Sequence, residues 1–357
     1  MWSVCVIRRA LLLVALGAVL AGCQERRDAS TRHLAPVPPA TVALMTSKSM
    51  VAGAPILMRA FKKESELEVW MRGNDGRYAH LKTYPICRWS GQLGPKTREG
   101  DRQAPEGFYA VTPAAMNPNS SLYLSFDLGY PNELDRAHGR TGSHLMVHGS
   151  CSSRGCFALT DEAISEVYAI ARESFAGGQR SIQFQSFPFR MTPENMAKHR
   201  DDPHIAFWRN LKEGADLFEV TQEEARVAVC NGRYAFGPRI GGPCGGEAPE
   251  TFSLALSRRR AADEARVADL VSKGTPSIRL VYDDGDQHRA FRASTGGEGA
   301  SSFAILGDGP RRDLGEVSRP EALARPPREI LLSPRRPSSA GPTPSAAAST
   351  VGEARAR

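Results

Sequence analysis

Residues 145–160 read Leu-Met-Val-His-Gly-Ser-Cys-Ser-Ser-Arg-Gly-Cys-Phe-Ala-Leu-Thr: a short apolar run ending in His148, seven intervening residues, then Cys156. An imidazole closing one extended segment and a thiol opening the next element can meet across neighbouring elements, and that pair suits nucleophilic catalysis. A thiol is a weak nucleophile at its free pKa of about 8.5; a neighbouring imidazole and a helix N-terminus would lower that value and populate the thiolate. Cys156 is therefore the candidate nucleophile and His148 the group that takes and returns the proton. Gly155 lets the backbone approach closely, so N–H groups around Cys156 can face a developing oxyanion. Ser153 and Arg154, in the same loop, join it as substrate-binding or oxyanion candidates. Weighed against this, a lone cysteine is most often buried and inert, and His144, which has no place in the pattern, reads as structural or solvated. No Cys-x-x-Cys pair and no zinc-type Cys/His spacing occurs, so no metal site is indicated and the chemistry calls for no cofactor.

The elements that must carry these residues are mostly extended. Leu67, Val69 and Met71 alternate with Glu68, Trp70 and Arg72, turn residues follow at 73–76, and 78–87 continues as a second strand, which predicts a hairpin. Gly, Pro and charge in 91–107 predict a surface loop, with short strands at 108–112 and 122–128 and a buried one at 145–147. A helix fits 160–175: Thr160 can cap it, Asp161 and Glu162 suit the positive end of its dipole, and Ile164, Val167, Tyr168, Ala171 and Phe175 share a face. A strand at 182–187 and short helices at 193–199 and 204–212 close a mainly β domain over residues 50–220. Arg88 and Lys96 read as solvated surface.

The flanks differ in composition. Residues 1–22 read as an export leader, with Arg8 and Arg9 before an apolar run too short to span a bilayer. Residues 23–49 are polar and Pro-punctuated, a flexible tether, and 221–357 form a Pro-, Ala- and Arg-rich tail, largely disordered, with a small strand segment at 277–292 of no assignable role. Of 357 residues, 41% are hydrophobic and 24% charged, which is ordinary for a soluble protein and excludes collagen, a long coiled coil or a polytopic membrane protein. The net charge is +7. Without dense basic runs interleaved with aromatics this excludes nucleic acid as the expected partner, while it suits an anionic polymer. Seven cysteines occur; Cys87 could pair with Cys151 and Cys230 with Cys244, leaving Cys156 free, but spacing alone fixes no connectivity.

Two resemblances add to this reading. Leu20-Ala21-Gly22-Cys23 resembles the bacterial lipobox, which implies cleavage before Cys23 and lipidation of its thiol. Gln24 after it implies the outer membrane, so the expected place is the periplasm, anchored in that membrane's inner leaflet. His148-Gly149, a short spacer and Ser153-Arg154-Gly155-Cys156 resemble the signature of the YkuD-type L,D-transpeptidases, cysteine enzymes of peptidoglycan. The match is nearest to the YafK-like subgroup, which includes an amidase that releases lipoprotein from murein. Ordered blocks at 84–91, 93–96, 105–109, 135–139 and 188–192 are similar to that subgroup too. Membership implies a β-sandwich with a helix after the cysteine, Cys156 as nucleophile, His148 as base and acid, and a carbonyl near His148 or Gly149 orienting the imidazole. It implies stem peptides as substrate and murein-linked lipoprotein or outer-membrane protein as a further partner. Asp135, Arg136 and His138 either line the groove or hold a loop by ion pairs. The chain carries Arg154 and Ala158 where typical members have His and Arg, a departure the subgroup shares, which bears on ordinary crosslinking rather than on thiol chemistry.

Overall fold

β1 (Ile56–Phe61) is buried at all six of its residues, because it runs through the middle of a sheet covered on both faces. The strands continue in chain order as β2 (Glu66–Arg72), β3 (Tyr78–Pro85), β4 (Arg88–Trp89), β5 (Gly107–Val111), β6 (Met116–Asn117), β7 (Ser125–Asp127), β8 (Met146–His148), β9 (Phe157–Ala158) and β10 (Ile182–Phe187). They form two five-stranded sheets, ordered β3-β2-β1-β10-β5 and β4-β9-β8-β7-β6. β1 and β10 are parallel, as are β8 and β9, and the other neighbours are antiparallel. The computed structural model describes residues 31–237, 250–292, 303–305, 311–314 and 317–332.

The fold is the mainly β sandwich expected, with helices packed around it: α1 (Pro39–Ser47), α2 (Glu133–Ala137), α3 (Asp161–Ala176), α4 (Pro193–Lys198) and α5 (Ile205–Thr221), followed by α6 (Glu250–Ser272) and α7 (Pro320–Leu323). The sheets meet through rings such as Phe157 on β9 and Phe184 on β10, whose centroids are 5.8 Å apart. Along β1, Ile56, Met58 and Ala60 join that core, while Leu57 faces the other way and clusters with Tyr78 and Phe218 of α5. Arg59 shares the outer face; it pairs with Glu219 at 2.7 Å and lies over the Phe218 ring. Such double coverage explains why the strand reads as a continuous run rather than an alternation. α3 starts where its cap predicts, with the Thr160 hydroxyl accepting the Ala163 N–H.

Both flanks depart from expectation at particular elements. Residues 39–47 are a docked helix rather than a free tether, because Met45 is buried and Thr41 donates to Glu166 of α3 at 2.5 Å. Glu166 also accepts from Lys82 and Tyr84, so one acid gathers α1, α3 and β3. Residues 1–30, with the leader and Cys23, lie outside the described residues. No helix among the described residues is long and apolar enough to cross a membrane.

In the region expected to be a tail, β11 (Arg226–Cys230) and β12 (Arg233–Gly237) form a hairpin that packs Tyr234 and Phe236 on Phe108. Cys230 is disulfide-bonded; Cys244 lies outside the described residues. β13 (Ile278–Val281), β14 (Phe303–Ile305), β15 (Arg311–Asp313) and β16 (Arg328–Leu331) follow, and β13 pairs with β16. The segment at 277–292 has a place after all: Tyr282 meets the Trp89 ring at 5.0 Å, and Asp286 and Trp89 exchange backbone hydrogen bonds. It therefore covers β4, the edge strand of the second sheet, whose N–H and C=O groups would otherwise be open.

Candidate active site

In the parallel ladder between β8 and β9, Val147 faces Phe157 and His148 faces Ala158. Side chains paired across a sheet share a face, and residues two apart along a strand share it as well. Cys156, immediately before β9, is thus brought alongside Met146 of β8, two residues from His148. Its sulfur sits beside Met146, whose N–H donates to Sγ at 3.4 Å, and the thiol points to the His144 carbonyl at 3.7 Å. Cys156 is a free, half-buried thiol.

His148 is buried, and its Nδ1 lies 2.5 Å from the Gly149 carbonyl oxygen. A carbonyl only accepts, so Nδ1 carries the proton and Nε2 keeps its lone pair. Burial holds the imidazole below its usual pKa, with the Gly149 bond opposing, and the ring is a neutral base near neutral pH. No hydrogen bond joins the ring to Sγ. The thiol is not lowered, as the spacing led us to expect, but pushed up to about 11. Burial is the main cause and the Asp127 charge adds to it, while the Met146 amide opposes them. Two features explain the difference: the His148 imidazole is uncharged and makes no bond to the sulfur, and β9 separates the cysteine from a helix that begins only at Asp161. The resting site holds thiol and imidazole, not an ion pair.

The loop between the two residues is tied down throughout. Gly149 cannot carry a side chain, since a Cβ there would fall 2.6 Å from Asp161 Oδ1 and 2.8 Å from Tyr123 Cβ. Asp161 Oδ1 accepts the Ser150 N–H at 2.8 Å, and Cys151 is bonded to Cys87, which resolves the pairing left open by the spacing. Ser153 is buried; its hydroxyl accepts the N–H groups of Gly155 and Cys156 at 3.3 and 3.1 Å and donates to the Cys156 carbonyl at 2.8 Å. Those two amides were expected to face a developing oxyanion; here they are engaged, because the positive φ of Gly155 (127°) folds the loop back on the serine. Arg154 is exposed.

The structure does not join the remaining candidates to this pair. Arg136 donates to the Pro131 carbonyl and His138 Nε2 lies 2.8 Å from the Gly232 carbonyl, both side chains exposed. Asp135 is buried in the capping box of α2 and pairs with Arg140 at 2.8 Å, so this trio holds a loop. Arg88 and Lys96, read as solvated, are buried: each spends its charge on an internal carboxylate, Asp284 for Arg88 and Asp101 for Lys96. Sequence reasoning missed Arg102 and Ser318, which contact the loop at Ser153, and Asp284, which holds Arg102. Asp161 was read only as a partner of the helix dipole. Among the described residues no group of three His, Cys, Asp or Glu side chains could hold a metal ion.

Comparison with known proteins bears on this geometry. The family described as "YkuD: L,D-transpeptidase catalytic domain" matches residues 62–177, a span that includes both His148 and Cys156. The protein named "Putative L,D-transpeptidase YafK" in Escherichia coli K12 is 42% identical over 187 residues, 52% of this chain and 76% of its own length. Its counterpart in Escherichia coli O157:H7 gives the same figures. The chain belongs to the L,D-transpeptidase family. Among solved structures, the helical cell shape determining protein Pgp2 of Campylobacter jejuni matches at 15% identity and a TM-score of 0.28, covering 67% of this chain and 80% of that one. Bdellovibrio bacteriovorus Bd1075 matches at 14% identity and a TM-score of 0.26, covering 64% and 74%. At that overlap neither likeness decides anything about this L,D-transpeptidase.

Proposed function

We propose that this L,D-transpeptidase family member is a peptidoglycan-modifying enzyme that works through a thioester on Cys156. One observation carries the reading: the parallel β8–β9 ladder sets the thiol against the Met146 amide, two residues from an imidazole whose Nδ1–H is fixed on Gly149 and whose Nε2 is bare. Because the thiol is protonated at rest, it needs a base at the moment of attack, and a neutral imidazole is suited to that task. Sγ adds to the carbonyl at the L-centre of a meso-diaminopimelate residue as its proton passes to Nε2. The tetrahedral intermediate then collapses, the C–N bond breaks, and the proton goes to the departing amine, either D-Ala or the amine of an anchored protein. The Met146 N–H remains on the sulfur while it carries charge. An amine acceptor then gives a crosslink and water gives release; the YafK-like blocks favour water. The leader and the lipid on Cys23 belong to the same proposal and would hold the enzyme on the periplasmic side of the outer membrane.

The test is incubation of purified full-length protein with intact sacculi, with mass spectrometry of the products. Cys156→Ala should abolish product formation while leaving the unfolding midpoint unchanged, and turnover by the purified variant would end the proposal. A second reading, a murein-binding lipoprotein without turnover, is favoured by the raised thiol and the missing Sγ–imidazole bond. Sacculus binding by the parent protein with no product at any pH would establish that reading instead.

A further inference from the structure

The loop that carries Cys156 is held from two directions. From within, the Ser153 hydroxyl grips the Cys156 amide. From outside, the main chain of Ser153 is gripped in turn by residues far along the chain. Its N–H donates to Ser318 Oγ at 2.9 Å across 165 positions, and its carbonyl accepts from Ser318 Oγ at 3.3 Å and from Arg102 Nη2 at 3.0 Å. Arg102 is fixed by Asp284, whose Oδ2 accepts from Nη2 at 2.6 Å. The same carboxylate meets Arg88 at 3.2 Å and Arg319 at 3.3 Å, and its other oxygen accepts the Gly91 N–H at 3.1 Å. Arg88 donates to the Ser318 carbonyl at 3.0 Å, which closes the circuit. Asp284 and Arg88 are both buried. A buried carboxylate among three guanidinium groups is a strong, directional node when both its oxygens accept, as here.

We propose that Ser318 and Asp284 are positioning residues for the nucleophile: they fix the Ser153 main chain, and Ser153 fixes the amide and therefore the sulfur of Cys156. Neither touches substrate. Their effect travels through one serine whose hydroxyl and backbone are both occupied, so a loss at Ser318 is felt at the thiol rather than spread through the core. The inference rests on the reading of Cys156 as the nucleophile, and its test reads the thiol directly, so the two can fail separately.

Full-length Ser318→Ala and Ser318→Thr are compared with the parent protein by three measurements: turnover on sacculi, thermal unfolding, and the pH profile of iodoacetamide alkylation at Cys156 followed by peptide mass spectrometry. Removing the hydroxyl loosens the loop and admits water to the sulfur. Ser318→Ala should therefore lower kcat about tenfold with KM nearly unchanged, yet move the alkylation midpoint down from about 11 by about one unit, toward a free thiol. Ser318→Thr, which keeps the hydroxyl, should restore both, and the unfolding midpoint should stay within a few degrees. A Ser318→Ala protein with parental kcat and a parental alkylation profile overturns the inference. If the parent has no turnover, the alkylation midpoint alone decides. Should Ser318→Ala fail to fold, Arg102→Gln, on a partly exposed side chain, removes the adjoining grip on the Ser153 carbonyl and must show the same shift.

Discussion

One sheet of the sandwich is made of strands five to eight residues long, β3-β2-β1-β10-β5, and the other, β4-β9-β8-β7-β6, of strands two or three residues long. The first is held by its own ladders and by apolar side chains on both faces. The second has few ladder bonds, and the candidate site residues lie on it or beside it. What a short strand cannot supply is added by side chains: a disulfide at Cys151, the Asp161 carboxylate under Ser150, the Ser153 hydroxyl, and the cover laid on β4 by residues 277–292. Precision at the site is thus assigned to individual contacts that can be removed one at a time, whereas the stability of the sandwich is assigned to a core that cannot. That division suits the reaction proposed above, in which the loop must hold a thiol and still admit a peptide.

Phe184→Ala strikes the long sheet and should have the largest effect on stability. The ring has no exposed surface and packs against Phe157 of the opposite sheet, so its loss removes apolar contact and leaves a cavity, about 3–5 kcal/mol. Against a total of about 5–15 kcal/mol, urea denaturation should show a severely weakened or unfolded protein. A cost below about 1 kcal/mol would mean that stability does not reside in this sheet and would undo the contrast.

Replacing Cys87 and Cys151 together by serine strikes the short sheet. The bond closes a separation of 64 residues, and its loss should cost about 2–4 kcal/mol. The distribution of the effect matters more than its size. Hydrogen exchange should rise in residues 146–158 well before β1 and β10. Uniform acceleration across both sheets would show that the disulfide supports the whole sandwich rather than the site.

The same contrast governs what was legible in the sequence. Helix α3 was readable because an N-cap, acidic residues in the first turn and an apolar face are local signals. The β2–β3 hairpin was readable because its turn residues and alternation are local too. The Cys/His pair was readable as a spacing, but its charge state was not: whether the thiol is lowered or raised depends on how β9 and the His148 ring are buried, which spacing does not encode. Arg88 and Lys96 misled because an isolated basic residue looks solvated until its acid is known, and the acid for Arg88 lies 196 residues away. Contacts of that range leave no periodic trace, so the second sheet's supports were invisible, whereas β2, β3, β5 and β10 of the first sheet were plain; β1, buried at all six residues, shows no alternation and was not read as a strand.

The smallest expected effect is titration. His148 in the short sheet is held below its usual pKa chiefly by burial. His199, stacked on Phe189 and bonded through Nδ1 to the Ile278 carbonyl, is lowered to about 4, again mainly by burial, with Lys63 and Lys198 adding to it. Both groups bind a proton less readily folded than unfolded. Stability therefore rises with pH through the window between the folded and unfolded values; it is complete above about 6.5 and lost as pH falls below it. By pH 6 the loss should be on the order of 1 kcal/mol, read as a lower urea midpoint than at pH 7.5. Staying above pH 5.5 keeps the measurement clear of most carboxylates. His199→Phe keeps the ring stack and removes one titrating group, so its acid limb should be shallower than the parent's by the share that belongs to the β13 contact, while the remainder belongs to His148 and to His80 of β3, which burial also lowers. An acid limb of unchanged slope in His199→Phe would assign the loss to His148 and His80, and a flat limb in the parent would mean that none of the three imidazoles is kept neutral by burial.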